Sequence, residues 1–101
     1  MYLTILRYRK RKDIDDNALT MDNLRIEKLA RGQPGFISLK HFTSEDGEVV
    51  TISEWASEAA VHAWASHPEH EAIRRRGRNA YFADYALYLS DRPRVHKFGR
   101  S

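Results

Sequence analysis

Two histidines and an arginine lie close together in the second half of this sequence, at spacings that suit ligand binding or proton transfer. His67 and His70 are three residues apart, and Arg74 follows four residues later. On a regular helix these spacings place all three side chains near one face. An imidazole titrates near neutral pH and can act as a general base, and a guanidinium can bind an anionic or phenolic ligand. We therefore predict His67 and His70 as catalytic residues and Arg74 as a substrate-binding residue.

The same histidines also have structural interpretations. His67 directly precedes Pro68 and can cap the helix that starts there, whereas His70 can pack against Trp64. A metal site is a third possibility, but two histidines at this spacing are a weak signal, and the neighbouring glutamates point to other sides of the helix. The sequence leaves these interpretations open, and we predict neither a bound metal nor another cofactor.

Both tryptophans belong to the same stretch of the chain. Trp55 ends a segment rich in β-branched residues, and Trp64 lies on the apolar face of the helix that follows. Each ring can line a pocket as an aromatic wall, and each can equally pack in the core. We predict Trp55 and Trp64 as substrate-binding residues, with core packing as the alternative.

Composition excludes several kinds of site. The 101-residue chain has no cysteine, which excludes disulfides, thiolate metal ligands and a cysteine nucleophile. No apolar run approaches the roughly 20 residues that span a membrane, and the N-terminus does not have the pattern of a signal peptide. We expect a cytoplasmic protein of one domain over residues 1–101, with a core of about residues 2–92 and a basic tail at 93–101.

The net charge of +3 is concentrated in three basic clusters, Arg7–Lys12, Arg74–Arg78 and Arg92–Lys97. Such clusters can bind nucleic acid or an anionic substrate, although they are more often the solvated ends of strands and helices. An RNA-recognition strand needs basic and aromatic residues around a Gly-Phe pair, and Gln33–Ser38 has the pair without them. We therefore expect no nucleic-acid partner.

Hydrophobic periodicity predicts the elements that position these residues. Alternation with a period of two predicts four strands, at Tyr2–Arg9, Phe36–Thr43, Val49–Trp55 and roughly Tyr85–Ser90. A helical period predicts a first helix at about 16–31, with Ala18, Met21, Leu24 and Leu29 on one side and a polar stripe of Asp16, Thr20, Asn23 and Glu27. Ser57 caps a short second helix, and Pro68 interrupts it and starts another that runs to about Gly77 or a little beyond.

The element order β-α-β-β-α-β, with the second helix split, predicts an α+β, ferredoxin-like fold. Its antiparallel sheet carries helices on one face only. The other face would carry Phe36, Phe42, Trp55 and tyrosines, and such a face needs a cover. A second copy of the chain is the simplest cover.

The order and spacing of several short motifs resemble the antibiotic biosynthesis monooxygenase family over about residues 2–92. These motifs are Pro34-Gly35-Phe36, Asp46-Gly47, the run from Ser53 to Ala60, Trp64, His67-Pro68-Glu69-His70 and Gly77-Arg78. Members of this family form dimeric α/β barrels in which two sheets pack face to face. The resemblance therefore implies a homodimer with a small-molecule substrate or ligand and no membrane partner.

Two branches of the family differ from this chain at their catalytic positions. The branch that oxidises aromatic phenols has an asparagine four residues before the tryptophan that matches Trp55 and a tyrosine six residues after it, where this chain has Thr51 and Val61. The haem-degrading branch ligates iron through a histidine at the position of Arg74, which cannot be a ligand. That branch also needs an asparagine in the first strand, which is absent from Tyr2–Arg9.

The resemblance implies a monooxygenase that acts on a small aromatic or quinol-like substrate without a bound cofactor. The alternative is a dimeric barrel that binds a ligand without catalysis, because the positions named above have lost the groups that other members use. The sequence does not decide between the two.

Overall fold

A computed structural model describes residues 1–100, so the last residue of the predicted basic tail, Ser101, lies outside the described residues. The elements are β1 Tyr2–Lys10, α1 Asp16–Arg31, β2 Phe36–Thr43, β3 Val49–Trp55, α2 Glu58–Ala65, α3 Pro68–Arg76, a π-helical turn Gly77–Tyr81, and β4 Phe82–Asp91. The predicted order is confirmed. No helix within residues 1–100 is both long enough and apolar enough to cross a membrane.

The four strands form one antiparallel sheet in the order β2-β3-β1-β4. The α+β, ferredoxin-like arrangement predicted from the sequence is therefore confirmed. Several boundaries differ from the prediction, since β1 ends at Lys10 and β4 at Asp91, each one residue later than expected. α3 ends at Arg76 and continues as the π-helical turn, and β4 begins at Phe82, three residues earlier than expected.

The pairing of strands fixes which side chains face the helices. On the helix side, Thr4 of β1 pairs with Ser53 of β3. One residue further along β1, Ile5 pairs with Ile52 of β3 and with Tyr88 of β4. Because side chains alternate between the faces of a strand, Ile5, Ile52 and Tyr88 lie on the open side, which also carries charged side chains such as Arg7 and Glu54.

The prediction that Phe36 and Trp55 lie on the open face is wrong. Trp55 is fully buried on the helix side, where its ring stacks with Trp64 at a centroid distance of 5.9 Å. A register shift between Phe36 and Ser38 turns the Phe36 ring to the same side, and it meets Trp55 edge-on at 5.5 Å. Phe42 lies beyond the shift, keeps its place on the open face and is 53% exposed.

The core joins the sheet to the helices through Tyr2, Ala30, Leu39, Trp55 and Trp64. The side of α1 that faces the sheet matches the predicted side only in part, since Leu29 packs against the core as expected. Leu19, Ile26 and Ala30 face the sheet, whereas Met21 and Leu24 are exposed, at 66% and 57%.

Two caps produce the split second helix. The Ser57 hydroxyl accepts the N–H of Ala60 at the start of α2, and the His67 ring accepts the N–H of Glu69 at the start of α3. Pro68 occupies the first position of α3, where its missing N–H has no cost. The capping role considered for His67 is therefore observed, and it determines where α3 begins.

We expect Gly35→Ala to lower the free energy of unfolding by about 2–4 kcal/mol, more than Gly47→Ala. Both glycines have positive φ, so an alanine costs about 1–2 kcal/mol of backbone strain at either position. At Gly35 the added Cβ would also lie 2.6 Å from Cβ of Ala60, whereas at Gly47 no atom lies within 4 Å. Such overpacking typically costs about 1–3 kcal/mol more. Urea denaturation gives the free energy of unfolding of both variants. Equal losses of stability would contradict the close contact between Gly35 and Ala60.

Candidate functional site

A cavity of about 360 Å³ lies between the helix side of the sheet and the helices, and the uncovered strand β4 forms part of its wall. Its volume is within the range of small-molecule sites. Most of its lining is apolar or aromatic, with polar groups at a few places. Such a lining suits a small molecule with both apolar and polar groups.

Most of the residues predicted for the site line this cavity. Trp55, Trp64, His70 and Arg74 are all part of its wall. His67 is not part of the lining, since its ring caps α3 and lies 5.9 Å from the Trp64 ring. The cavity therefore brings together one histidine, two tryptophans and an arginine from the predicted set.

The His70 ring is held in one orientation by Trp64. The two rings are stacked at 4.1 Å and are nearly parallel, at 9°. Nδ1 of His70 lies 2.9 Å from the backbone oxygen of Trp64, and a carbonyl can only accept, so Nδ1 carries the hydrogen. In the neutral ring the lone pair is then on Nε2, for which residues 1–100 provide no hydrogen-bond partner. Nε2 is therefore the atom of the His70 ring that can accept a hydrogen bond or a proton.

Burial favours the neutral form of this ring. It lowers the pKa of His70 below its ordinary value, although the hydrogen bond to the Trp64 carbonyl opposes the shift. The positive charge of Arg74 lowers the pKa further. The lowered pKa favours the neutral imidazole, which is the form that can accept a proton.

Arginines of the Arg74–Arg78 cluster divide into two kinds. Arg75 and Arg76 each pair with a carboxylate, at 3.2 Å and 2.8 Å. Arg74 and Arg78 line the cavity and have no carboxylate partner in the described part of the chain. The positive charge at the cavity is therefore not neutralised by the protein, which favours a ligand that is anionic or becomes anionic during a reaction.

Asp22 of α1 connects the first helix to the π-helical turn. Its carboxylate accepts two hydrogen bonds from Arg76, at 2.9 and 2.8 Å, and one from the Tyr81 hydroxyl at 2.8 Å. The Arg76 hydrogen bonds and the Tyr81 hydrogen bond lower the pKa of Asp22, against the effect of burial. Burial and the bond to Asp22 raise the pKa of Tyr81. Asp22 and Tyr81 both line the cavity, so this network fixes part of its wall.

We expect Asp22→Asn to lower the free energy of unfolding at pH 7 by about 1 kcal/mol, because charge-assisted bonds to Arg76 are lost. A carboxyl group whose pKa is lowered on folding stabilises the protein fully above its unfolded pKa of about 3.9. That contribution disappears as the pH falls through the lower, folded pKa. Urea denaturation at a series of pH values should therefore show wild type and variant converging in acid. Asp84→Asn, at an exposed site, is the control, and a difference that persists in acid would contradict the role of the charge.

Sequence reasoning missed other polar residues of the cavity. Asn23, predicted on a solvated stripe of α1, lines the cavity and donates from Nδ2 to the Tyr8 hydroxyl at 3.5 Å. His41 of β2 also lines it, with Nδ1 2.8 Å from the Thr51 hydroxyl, and burial lowers the pKa of His41 although the charge of Glu27 opposes the shift. Only the strand order, which determines what lies under α1, could have indicated these residues.

Within residues 1–100, no group of three or more histidine, aspartate and glutamate side chains has the geometry to hold a metal ion. His67 and His70 do not converge, because each ring uses Nδ1 for a separate backbone group.

Comparison with known proteins identifies related sequences. The family model for antibiotic biosynthesis monooxygenase matches residues 3–76. The uncharacterized protein YqjZ of Bacillus subtilis (strain 168) is 36% identical over 73 residues, which span 70% of this chain and 64% of that protein. The match thus covers less than two thirds of that relative.

Solved structures show the same fold at low sequence identity. Rv0793 from Mycobacterium tuberculosis superimposes with a TM-score of 0.82 and 20% identity, over 95% of this chain and 98% of that chain. SnoaB, described as a cofactor-independent oxygenase from Streptomyces nogalater, superimposes with a TM-score of 0.73 and 15% identity, over 95% and 97% of the two chains. At these identities the similarity establishes the fold alone.

Proposed function

Because the chain belongs to the antibiotic biosynthesis monooxygenase family, we propose that it is a monooxygenase that oxidises a small aromatic or quinol-like molecule without a bound cofactor. The observation that carries this proposal is the neutral His70 ring, which has its lone pair on Nε2 and lines an aromatic-walled cavity. The description of SnoaB, which has the same fold, as a cofactor-independent oxygenase is consistent with this chemistry.

In the proposed reaction a phenol consumes one molecule of dioxygen and gives a quinone and one molecule of water. Nε2 of His70 removes the phenol proton, and the phenolate transfers electron density to dioxygen. A carbon–oxygen bond forms at a ring carbon to give a hydroperoxide. Cleavage of its oxygen–oxygen bond, with loss of the hydrogen on that carbon, leaves the second carbonyl and releases water. Dioxygen is the oxidant and the substrate supplies all the electrons, so no other reductant is needed.

The other predicted residues have distinct roles in this proposal. Trp55 and Trp64 form aromatic walls against which the substrate ring packs. Arg74, which has no carboxylate partner within residues 1–100, stabilises the phenolate that His70 creates. His67 acts as a positioning residue, because its cap on α3 fixes the start of the helix that carries His70.

Oxygen uptake with a panel of phenols, naphthols and quinols tests the proposal. We expect uptake above the rate without protein for at least one compound, with one quinone formed per dioxygen consumed. Addition of catalase afterwards should return no oxygen, because the reaction releases water and not hydrogen peroxide. A panel with no protein-dependent uptake would overturn the proposal.

A second candidate function is binding of an aromatic ligand without turnover. Thr51 and Val61 favour it, because both line the cavity at positions where phenol-oxidising members carry an asparagine and a tyrosine. In this case the protein would bind members of the same panel by calorimetry and would consume no oxygen with any of them.

We further propose that two copies pack through the open faces of their sheets. Ile5, Ile52 and Tyr88 lie on that face, with Tyr88 50% exposed and Phe42 53% exposed. Exposed apolar side chains grouped on one face of a sheet mark an interaction surface. Light scattering after size exclusion should give the mass of a dimer, and Ile52→Glu should give that of a monomer. A wild-type monomer at micromolar concentration would contradict this assembly.

A further inference from the structure

Three side chains on the cavity floor form a short chain of hydrogen bonds. Nε1 of Trp55 donates to Oγ of Ser53 at 3.0 Å, and Oγ of Ser53 is hydrogen-bonded to Oγ1 of Thr4. Thr4 and Ser53 face each other across β1 and β3, and all three residues line the cavity. The chain therefore runs from the buried indole to a hydroxyl in the cavity wall.

This series of hydrogen bonds contains one more polar hydrogen than it uses. The indole N–H and the two hydroxyl groups supply three polar hydrogens, and the three side chains form two hydrogen bonds with one another. Whichever hydroxyl donates to the other, one hydroxyl hydrogen finds no acceptor among the side chains and backbone of residues 1–100. A polar hydrogen left in a largely apolar cavity is unfavourable unless a ligand or water accepts it.

Burial indicates which hydroxyl holds the spare hydrogen. Ser53 is only 6% exposed and lies beside the fully buried Trp55, whereas Thr4 is more exposed. The favourable arrangement has Trp55 donating to Ser53, and Ser53 donating to Thr4. Each bond in such a series polarises the next, so the last hydroxyl becomes a stronger donor than an isolated one.

We propose that the Thr4 hydroxyl donates a hydrogen bond to an oxygen atom of the bound aromatic ligand. The class of ligand rests on the proposed function, but the donor itself rests on the hydrogen-bond count. A phenolate oxygen or a quinone carbonyl suits this site, because both accept hydrogen bonds. His70 Nε2, in contrast, can only accept from the ligand, so Thr4 and His70 recognise different states of an oxygen atom.

Binding of 1,4-naphthoquinone and naphthalene to wild type, Thr4→Val and Thr4→Ser tests the proposal. The quinone oxygens only accept, and naphthalene has the same rings without oxygen. The chain has no cysteine, so the quinone cannot react with a thiol. Valine preserves the shape of threonine without its hydroxyl, and in all three proteins Ser53 still accepts from Trp55. Calorimetry gives the dissociation constants, and no step requires turnover.

We expect wild type to prefer the quinone, and Thr4→Val to lose about 2- to 10-fold in quinone affinity, as for one hydrogen bond. Its naphthalene affinity should be unchanged, and Thr4→Ser should keep most of the preference. A wild-type protein without the preference, or a Thr4→Val variant that keeps it, would overturn the inference. An equal loss of affinity for the quinone and for naphthalene would also overturn it, because the hydroxyl would then not be the cause of the preference. Failure of oxygen uptake, by contrast, would overturn the proposed function and leave this result standing.

Discussion

Replacing His70 with asparagine is expected to lower kcat/KM for a phenolic substrate by about 10²- to 10⁴-fold at pH 7, the usual contribution of a general base. Asparagine can still donate to the Trp64 carbonyl, as Nδ1 of His70 does at 2.9 Å, but it has no basic nitrogen. The cavity should therefore keep its shape and its ligand affinity. Steady-state oxygen uptake gives kcat/KM, and calorimetry with a non-reactive ligand checks binding.

The pH dependence gives this prediction a second readout. For wild type, kcat/KM should rise with pH through the pKa of His70, which burial holds below its ordinary value of about 6.5. The activity of wild type should therefore level off at a lower pH than it would with an ordinary histidine as the base. Activity of the variant should instead rise toward the pKa of the substrate phenol, because only phenol that has ionised in solution can react. His62→Asn, at an exposed site beside Glu58, is the control and should behave as wild type. Equal activity of His70→Asn and wild type at pH 7 would exclude His70 as the base.

Trp55→Ala is expected to lower the free energy of unfolding by about 3–5 kcal/mol, the largest effect on stability of any change discussed here. Trp55 is fully buried, packs edge-on against Phe36 at 5.5 Å and stacks with Trp64 at 5.9 Å. Its removal leaves a cavity at the junction of β2, β3 and α2. It also removes the indole donor to Ser53.

Urea denaturation measures this loss, and Met21→Ala provides the control. Met21 is similarly apolar, but it is 66% exposed on α1, so its truncation should change the free energy of unfolding by no more than about 0.5 kcal/mol. If the two variants lose similar amounts, Trp55 is not the centre of the core. A much larger loss of stability for Trp55→Ala than for Met21→Ala would support the packing described above.

Local signals were sufficient to predict most of the elements. β2 and β3 have the predicted bounds because alternating side chains stop at clear turn residues on both sides of Asp46-Gly47. α1 begins and ends as predicted because Asp15 accepts the N–H of Ala18 and Gly32 closes the last turn. Such caps depend on neighbours within a few residues, and sequence patterns contain that information.

The errors arose where the answer depends on distant parts of the chain. Regular alternation of Phe36 with Ser38 predicts that Phe36 lies on the open face, and the register shift that moves it arises only when β2 pairs with β3. The helical period predicts Met21 and Leu24 on the buried side of α1, whereas the sheet packs against Leu19 and Ile26. Neither a strand register nor a helix rotation can be read from local periodicity alone.

The same distinction applies to the candidate site. His70, Trp64 and Arg74 could be associated because they lie within eleven residues of one another on consecutive helices. Thr4 and Ser53, in contrast, are 49 residues apart and become neighbours only through the pairing of β1 with β3. The residues of the helical wall of the cavity can therefore be identified from the sequence, whereas the polar groups of its floor can be identified only from the structure.

Reaction under ¹⁸O₂ with a phenol that supports oxygen uptake tests the central claim most directly, namely that the cavity oxygenates its substrate. Mass spectrometry of the quinone should show one ¹⁸O atom in the new carbonyl, provided that the product is reduced at once to prevent exchange with water. The other ¹⁸O atom should appear in water, and His70→Asn should form labelled product far more slowly. A quinone without label, or hydrogen peroxide as the reduced product, would show that the protein does not act as a monooxygenase.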